Sequence, residues 1–144
     1  MSFNASCWCD LQSQEAHGSG ETTLTVFRQL AALRSEPSMQ WGDFRDLTND
    51  DAHLLVYERS AEGFDTFLVA INLGGSGRSV NLRKKGENIP AYGFIVATTS
   101  NFASHGRADA FQLGTHVPLE NVYLDADEGI VVGWHYMDMP LADA

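Results

Sequence analysis

The chain has 144 residues, is 44% hydrophobic and carries 9 basic against 19 acidic side chains, for a formal net charge of -10. Such a length suffices for one ordinary globular domain but not for a (β/α)8 barrel, which needs about 250 residues. The acidic surface repels nucleic-acid phosphates and anionic lipid, which excludes nucleic acid as a partner; no run reaches the roughly 20 apolar residues of a membrane helix, so no direct membrane insertion is expected.

Residues 1–20 have no sustained period and read as an irregular lead-in closed by Gly18-Ser19-Gly20. Within it Cys7 and Cys9 flank Trp8, a spacing too short for an unstrained disulfide and too poor in ligands for a closed zinc site, so both are expected as thiols. Asn4-Ala5-Ser6 matches a glycosylation acceptor, which matters only where the parent protein faces the cell exterior. Over residues 21–36, Leu24, Phe27, Leu30, Ala31 and Arg34 recur at three and four residue intervals. That pattern predicts one amphipathic helix of about twelve residues, with Thr22 or Thr23 as N-cap and Pro37 stopping it.

From residue 38 to 137 the pattern changes to short β stretches. His53–Arg59 and Phe64–Leu73 flank the turn Ser60-Ala61-Glu62-Gly63 and predict an antiparallel hairpin whose second strand is central and mostly buried. Gly74-Gly75-Ser76-Gly77 ends that strand and lacks the lysine of a phosphate loop; Arg78–Arg83 then alternates polar with apolar and predicts a third strand completing a meander. Arg83–Pro90 reads as a solvated polar connection, Tyr92–Ser100 as a strand, and residues 101–114 as a long loop holding His105 and Arg107. Pro118–Leu124 and Ile130–Tyr136 are the last two predicted strands, joined by an acidic turn, before a tail at 138–144. Seven or so turn-punctuated strands predict a mainly β fold, an antiparallel β-sandwich with Greek-key-like connections preceded by one amphipathic α-helix.

No chemical constellation emerges from these residues. Asp125, Asp127 and Glu128 crowd one turn, where carboxylates are expected to end strands and stay solvated. His17, His53, His105, His116 and His135 are scattered, without His-x-His or His-x-x-x-His spacing, and Ser104-His105 near Asp109 has no nucleophile elbow around it. No cofactor or metal is expected. Trp8, Trp41 and Trp134 are either core plugs or stacking faces for sugar rings, and a possible ligand loop would combine Trp41 with His105 and Arg107.

Tyr57-Glu58-Arg59, the short acidic and glycine turn, and Phe67–Gly74 together resemble the core hairpin in the C-terminal β-domain of α-amylase-family glycoside hydrolases. Within that superfamily they are most similar to maltases (α-glucosidases) and to the heavy chains of heteromeric amino-acid transporters. The similarity extends through Asp10–Glu36, which resembles the last helix of the maltase barrel, through Gly42-Asp43-Phe44, and through the closing Glu128–Val132 step. The resemblance implies a non-catalytic C-terminal domain whose parent hydrolyses terminal α-glucosidic bonds in a barrel absent from this chain. No catalytic residue can be carried over. The implied partners are that missing barrel and α-glucan or maltose. The N-terminus lacks the basic start and apolar centre of a secretion signal. Either the chain is cytosolic as it stands or Met1 is not the natural start; the resemblance favours the second, with a parent that is secreted or on the cell surface. The alternatives are a transporter heavy chain, acting as an interaction and trafficking subunit, and a free-standing carbohydrate-binding module.

Overall fold

The computed structural model describes residues 23–99 and 113–136. The lead-in with Asn4, Cys7, Trp8, Cys9 and His17, the residues His105, Arg107 and Asp109, and the tail lie outside the described residues. The chain order is α1 (Thr23–Leu33), α2 (Pro37–Gln40), β1 (Asp43–Asp46), β2 (Leu54–Ser60), β3 (Thr66–Asn72) and β4 (Arg78–Val80). A 3-10 turn at Leu82–Lys84 follows, then β5 (Tyr92–Thr98), β6 (His116–Pro118), β7 (Val122–Leu124) and β8 (Gly129–Trp134). Six strands form one antiparallel sheet in the order β1-β2-β3-β8-β5-β6, and β4 pairs with β7 in a second, two-stranded sheet.

The β2–β3 hairpin forms as its sequence predicts, with Tyr57 opposite Val69 and the turn closed by the Phe64 amide donating to the Ala61 carbonyl. Gly63 sits there at φ +83°, a left-handed conformation that costs glycine little. β3 is buried on both faces because each face has its own cover. Inward, Leu68 and Ala70 pack with Val56, Ile130 and Val132 against Val80, Leu82, Val122 and Leu124 of the small sheet and its flanks. Outward, Phe67 and Val69 pack with Ala97 and Val131 beneath Leu33 of α1. The last strand in sequence, β8, lies between β3 and β5, and its Trp134 is a core plug, 2% exposed.

Three expectations need correction. Arg78–Arg83 does not complete a meander: only Arg78–Val80 is strand, and it pairs with β7 across the sandwich. The cause is Asn72, fully buried at the end of β3, whose amide donates to the carbonyls of Ser76 (2.9 Å), Leu124 (3.1 Å) and Asp125 (3.0 Å) while its oxygen accepts from the Gly74 amide (3.0 Å). Those bonds turn the chain away from the large sheet and lay it against β7. Nor is Pro118–Leu124 one strand. Pro118 ends β6 in the large sheet, while Val122–Leu124 belongs to the small one. Between them the buried Leu119 receives an amide bond from Leu82 and donates to Ala91, holding the change of sheet in place.

Finally, the acidic turn is not wholly solvated. Glu128 is 0% exposed, and its Oε2 accepts from the Asp125 amide at 2.7 Å, closing the turn from inside. Pro37, meanwhile, both ends α1 and starts α2, where its missing amide hydrogen costs nothing at the first helical position.

Elsewhere the loops are tied by ions. Arg78 grips both oxygens of Asp51 (2.7 and 3.2 Å), and this hydrogen bonding, with the His53 amide, holds the Asp51 carboxyl below the usual carboxylate range. Glu58 is the contrary case. It is buried in β2 opposite Arg45, and burial pushes its carboxyl up from the ordinary glutamate value, the Arg45 charge only partly offsetting this. A raised native pKa means full stability below the unfolded value near 4.5, lost as pH rises through the native one. Glu58→Gln is therefore expected to raise the thermal midpoint at pH 7 and to give no gain at pH 4, as calorimetry at the two pH values would check. A loss at pH 7 would mean that the Arg45 pairing outweighs burial.

Candidate functional site

Among the described residues, the outward face of the large sheet is covered only in part. α1 lies across it next to β5, but Leu33 is its sole buried residue. Between helix and sheet runs a cleft of about 200 Å³, walled by Val26, Leu30 and Leu33 on one side and by Tyr57, Val69, Ile71 and Val131 on the other. Beyond the cleft, Phe27 is 68% exposed and Leu30 43%. The predicted stripe thus does not turn as one face onto the sheet: Leu33 anchors, Leu30 borders the cleft and Phe27 projects into solvent. Apolar side chains at this spacing exceed what the sheet beneath them covers.

The second feature is the end of the sheet beside α2. Arg59 donates from Nε to the Ser38 carbonyl (3.2 Å) and from Nη2 to the Met39 carbonyl (2.8 Å), and the buried Ser38 hydroxyl donates to the Asp65 carbonyl. Gly42 lets the chain enter β1 here; a Cβ on it would fall 2.6 Å from the Ser60 carbonyl oxygen and closer still to that of Ser38. The result presents Trp41, 62% exposed, edge-on to Phe64 with ring centroids 5.5 Å apart. Of the proposed ligand loop only Trp41 is among the described residues, so its association with His105 and Arg107 lies outside them.

The remaining candidates are dispersed. His53 precedes β2, His116 lies on the edge strand β6, and His135 follows β8 with Nδ1 3.0 Å from Asp65 Oδ1. Among the described residues no group of three His, Cys, Asp or Glu is placed to hold a metal ion. Among them, too, no helix is long and apolar enough to cross a membrane. The sequence reading missed the cleft, although alternation in β3 and β8 with apolar residues at both parities was a signal that both sheet faces would be covered.

No family model matches the chain. A stretch of 61 residues is 31% identical to maltase A1 of Drosophila melanogaster, covering 42% of this chain and 10% of that protein. Over 119 residues the chain is 30% identical to the amino acid transporter heavy chain SLC3A2 of Mus musculus, covering 79% of this chain and 22% of that protein. The chain thus spans at most about a fifth of the length of these relatives. Among solved structures, the trehalulose synthase MutB matches with a TM-score of 0.54 and 20% identity, covering 77% of this chain and 18% of the other. The isomaltulose synthase of Klebsiella sp. LX3 matches with a TM-score of 0.54 and 17% identity, covering 76% and 17%. At such identities the structural matches speak for fold alone, whereas the curated relatives carry a sequence relation. With a two-layer β fold behind an amphipathic helix, and relatives matched over one part of their length, the chain is similar to the C-terminal β-domain of the α-amylase family.

Proposed function

We propose that the chain is the non-catalytic structural domain of a maltase-like α-glucosidase, whose parent would hydrolyse terminal α-glucosidic bonds in a barrel not contained in these residues. The observation that carries this reading is the half-covered helix α1: its Leu33 is anchored in the sheet while Phe27 and Leu30 stay exposed beside an apolar cleft. Such an arrangement suits a helix held between two bodies, with the barrel burying the flank that the β-domain leaves open. Burial of two such side chains contributes about 1.5–3 kcal/mol each, enough to hold the domains together once the chain links them.

A second reading follows the longer alignment. The transporter heavy chain matches over 119 residues against 61 for the maltase, so the same domain could serve a parent that assists a membrane partner instead of hydrolysing sugar.

Two measurements test the proposal. Maltose incubated with the 144-residue chain is expected to yield no glucose above the uncatalysed rate; turnover would end the non-catalytic reading. Phe27→Ser with Leu30→Ser is expected to reduce binding of a hydrophobic dye while shifting the thermal midpoint little, because Phe27 is mostly solvated and Leu30 partly so. A large fall in midpoint would show instead that this flank already serves the chain's own core. Reading the source transcript in frame upstream of Met1 separates the two parents. A barrel with strand-end Asp and Glu marks a glucosidase, and a membrane helix followed by a barrel lacking those carboxylates marks a heavy chain.

A further inference from the structure

Among the described residues the large sheet ends on one side at β1, which pairs with β2 alone, and its residues Asp43, Phe44, Arg45 and Asp46 are all exposed. The opposite edge is blunted, because β6 is short and ends in Pro118, which carries no amide hydrogen. β1 is open instead, and its bonding to β2 decides which groups it offers. The Leu47 amide donates to the Val56 carbonyl. Hydrogen-bonded pairs alternate along an antiparallel ladder, so Arg45 and Asp43 likewise direct their amides and carbonyls at their partners Glu58 and Ser60. Phe44 and Asp46 therefore direct theirs away from β2, at the free edge. Phe44 is 60% exposed, and its ring rests against Tyr57 with centroids 5.3 Å apart.

We propose that β1 docks against β1 of a second copy of this chain, the two strands antiparallel about a two-fold axis at Phe44. The order Asp-Phe-Arg-Asp selects both partner and register. A two-fold axis sets each residue opposite the one equally far from the axis on the other copy. An axis on Asp43 or on Asp46 sets carboxylate against carboxylate, and one on Arg45 sets guanidinium against guanidinium. An axis on Phe44 is self-complementary. Asp43 of each copy then faces Arg45 of the other, Phe44 faces Phe44, and Asp46 faces Gly42, which has no side chain to oppose it. The same axis satisfies the main chain, since the two Phe44 residues meet with their free amides and carbonyls and exchange both bonds. Charge order and hydrogen-bond parity are independent of one another, and they agree on this register. So short a strand buries little area, which puts the dimer among weak associations that come apart on dilution. The surface stands on this edge alone and does not depend on the parent proposed above.

The test is sedimentation equilibrium of the full 144-residue chain in about 0.15 M salt, at concentrations up to about 1 mM. The average mass is expected to rise with concentration toward twice that of the chain. Asp43→Arg, at an exposed position, sets like charges at both symmetric contacts and is expected to weaken the dimer about tenfold or more. Arg45→Asp does the same from the other side. Mixed in equal amounts, the two variants regain opposite charges at both contacts and are expected to associate as strongly as the unaltered chain. Should Arg45→Asp lose its fold beside Glu58, Asp43→Arg alone still decides. Phe27→Ser with Leu30→Ser, on the α1 flank, is expected to leave the dimer unchanged. A chain that stays monomeric throughout overturns the proposal, as does a dimer that Asp43→Arg leaves intact or two folded charge variants that fail to associate when mixed. Loss of the dimer in the Phe27 and Leu30 variant would assign the contact to the apolar flank and equally overturn it.

Discussion

Asn72→Asp is expected to destabilise the chain by about 3–5 kcal/mol at pH 7, a large share of the 5–15 kcal/mol typical of a domain. The substitution is nearly isosteric, so it tests hydrogen-bond direction and not volume. In the native chain the Asn72 amide donates to three carbonyls on three segments, the 73–77 bend, the end of β7 and the acidic turn. A carboxylate cannot donate; it would set a buried negative charge against three carbonyl oxygens, with only the Gly74 amide left to bond it. Backbone bonds converge on the same residue, since the Asn72 amide donates to the Glu128 carbonyl and the Asp127 amide to the Asn72 carbonyl. The loss should therefore spread from β3 to the β7–β8 turn. Acidification should narrow the deficit, because a protonated carboxyl regains one donor. Urea unfolding of the two chains at pH 7 and pH 4 measures both effects. A difference below about 0.5 kcal/mol at pH 7 would mean that the bend is held by something other than this side chain.

Asn72 also explains where sequence reasoning stops. The hairpin, the central strand and the amphipathic helix were legible because each is a local pattern: alternation, a glycine turn, or apolar residues at three and four residue intervals. The departure of β4 to the second sheet was not, because nothing in Gly74–Gly77 tells a tight return from a crossover. The decision rests on where one buried amide finds its acceptors, and two of those lie about fifty positions further along the chain. The same holds at Pro118–Leu124, which is apolar enough to be read as one strand but is divided between sheets by the seat of Leu119 in the core. Glu128 was read as solvated because its neighbours are acidic, whereas its burial follows from the Asp125 amide it must satisfy. Of the candidate sites, the exposure of Trp41 is compatible with the stacking role considered for it. The cleft under α1 joins residues from elements far apart in sequence, and only the sheet order brings them together.

The outward face of β3 supplies the second large effect. Val69 is 7% exposed and packs with Phe67, Ala97 and Val131 under Leu33, while its neighbour Leu68, 0% exposed, points into the other core. Val69→Asp places a carboxylate where helix and sheet meet, with apolar side chains on every side, and is expected to cost about 3 kcal/mol or more. What distinguishes it from Leu68→Asp is the route of failure. A charge at Leu68 strikes the sandwich core and should unfold the chain outright. At Val69 the charge can reach water if α1 lifts away, so part of the cost can be met by giving up the Leu33 contact and leaving the sheet intact. Val69→Asp should then show reduced helical signal in circular dichroism, retained β signal and increased binding of a hydrophobic dye, before the sheet itself melts. If helix and sheet are lost together at one midpoint, the outward layer is as integral to folding as the sandwich core. The view of α1 as an element awaiting a second body on its open flank would then have to be given up.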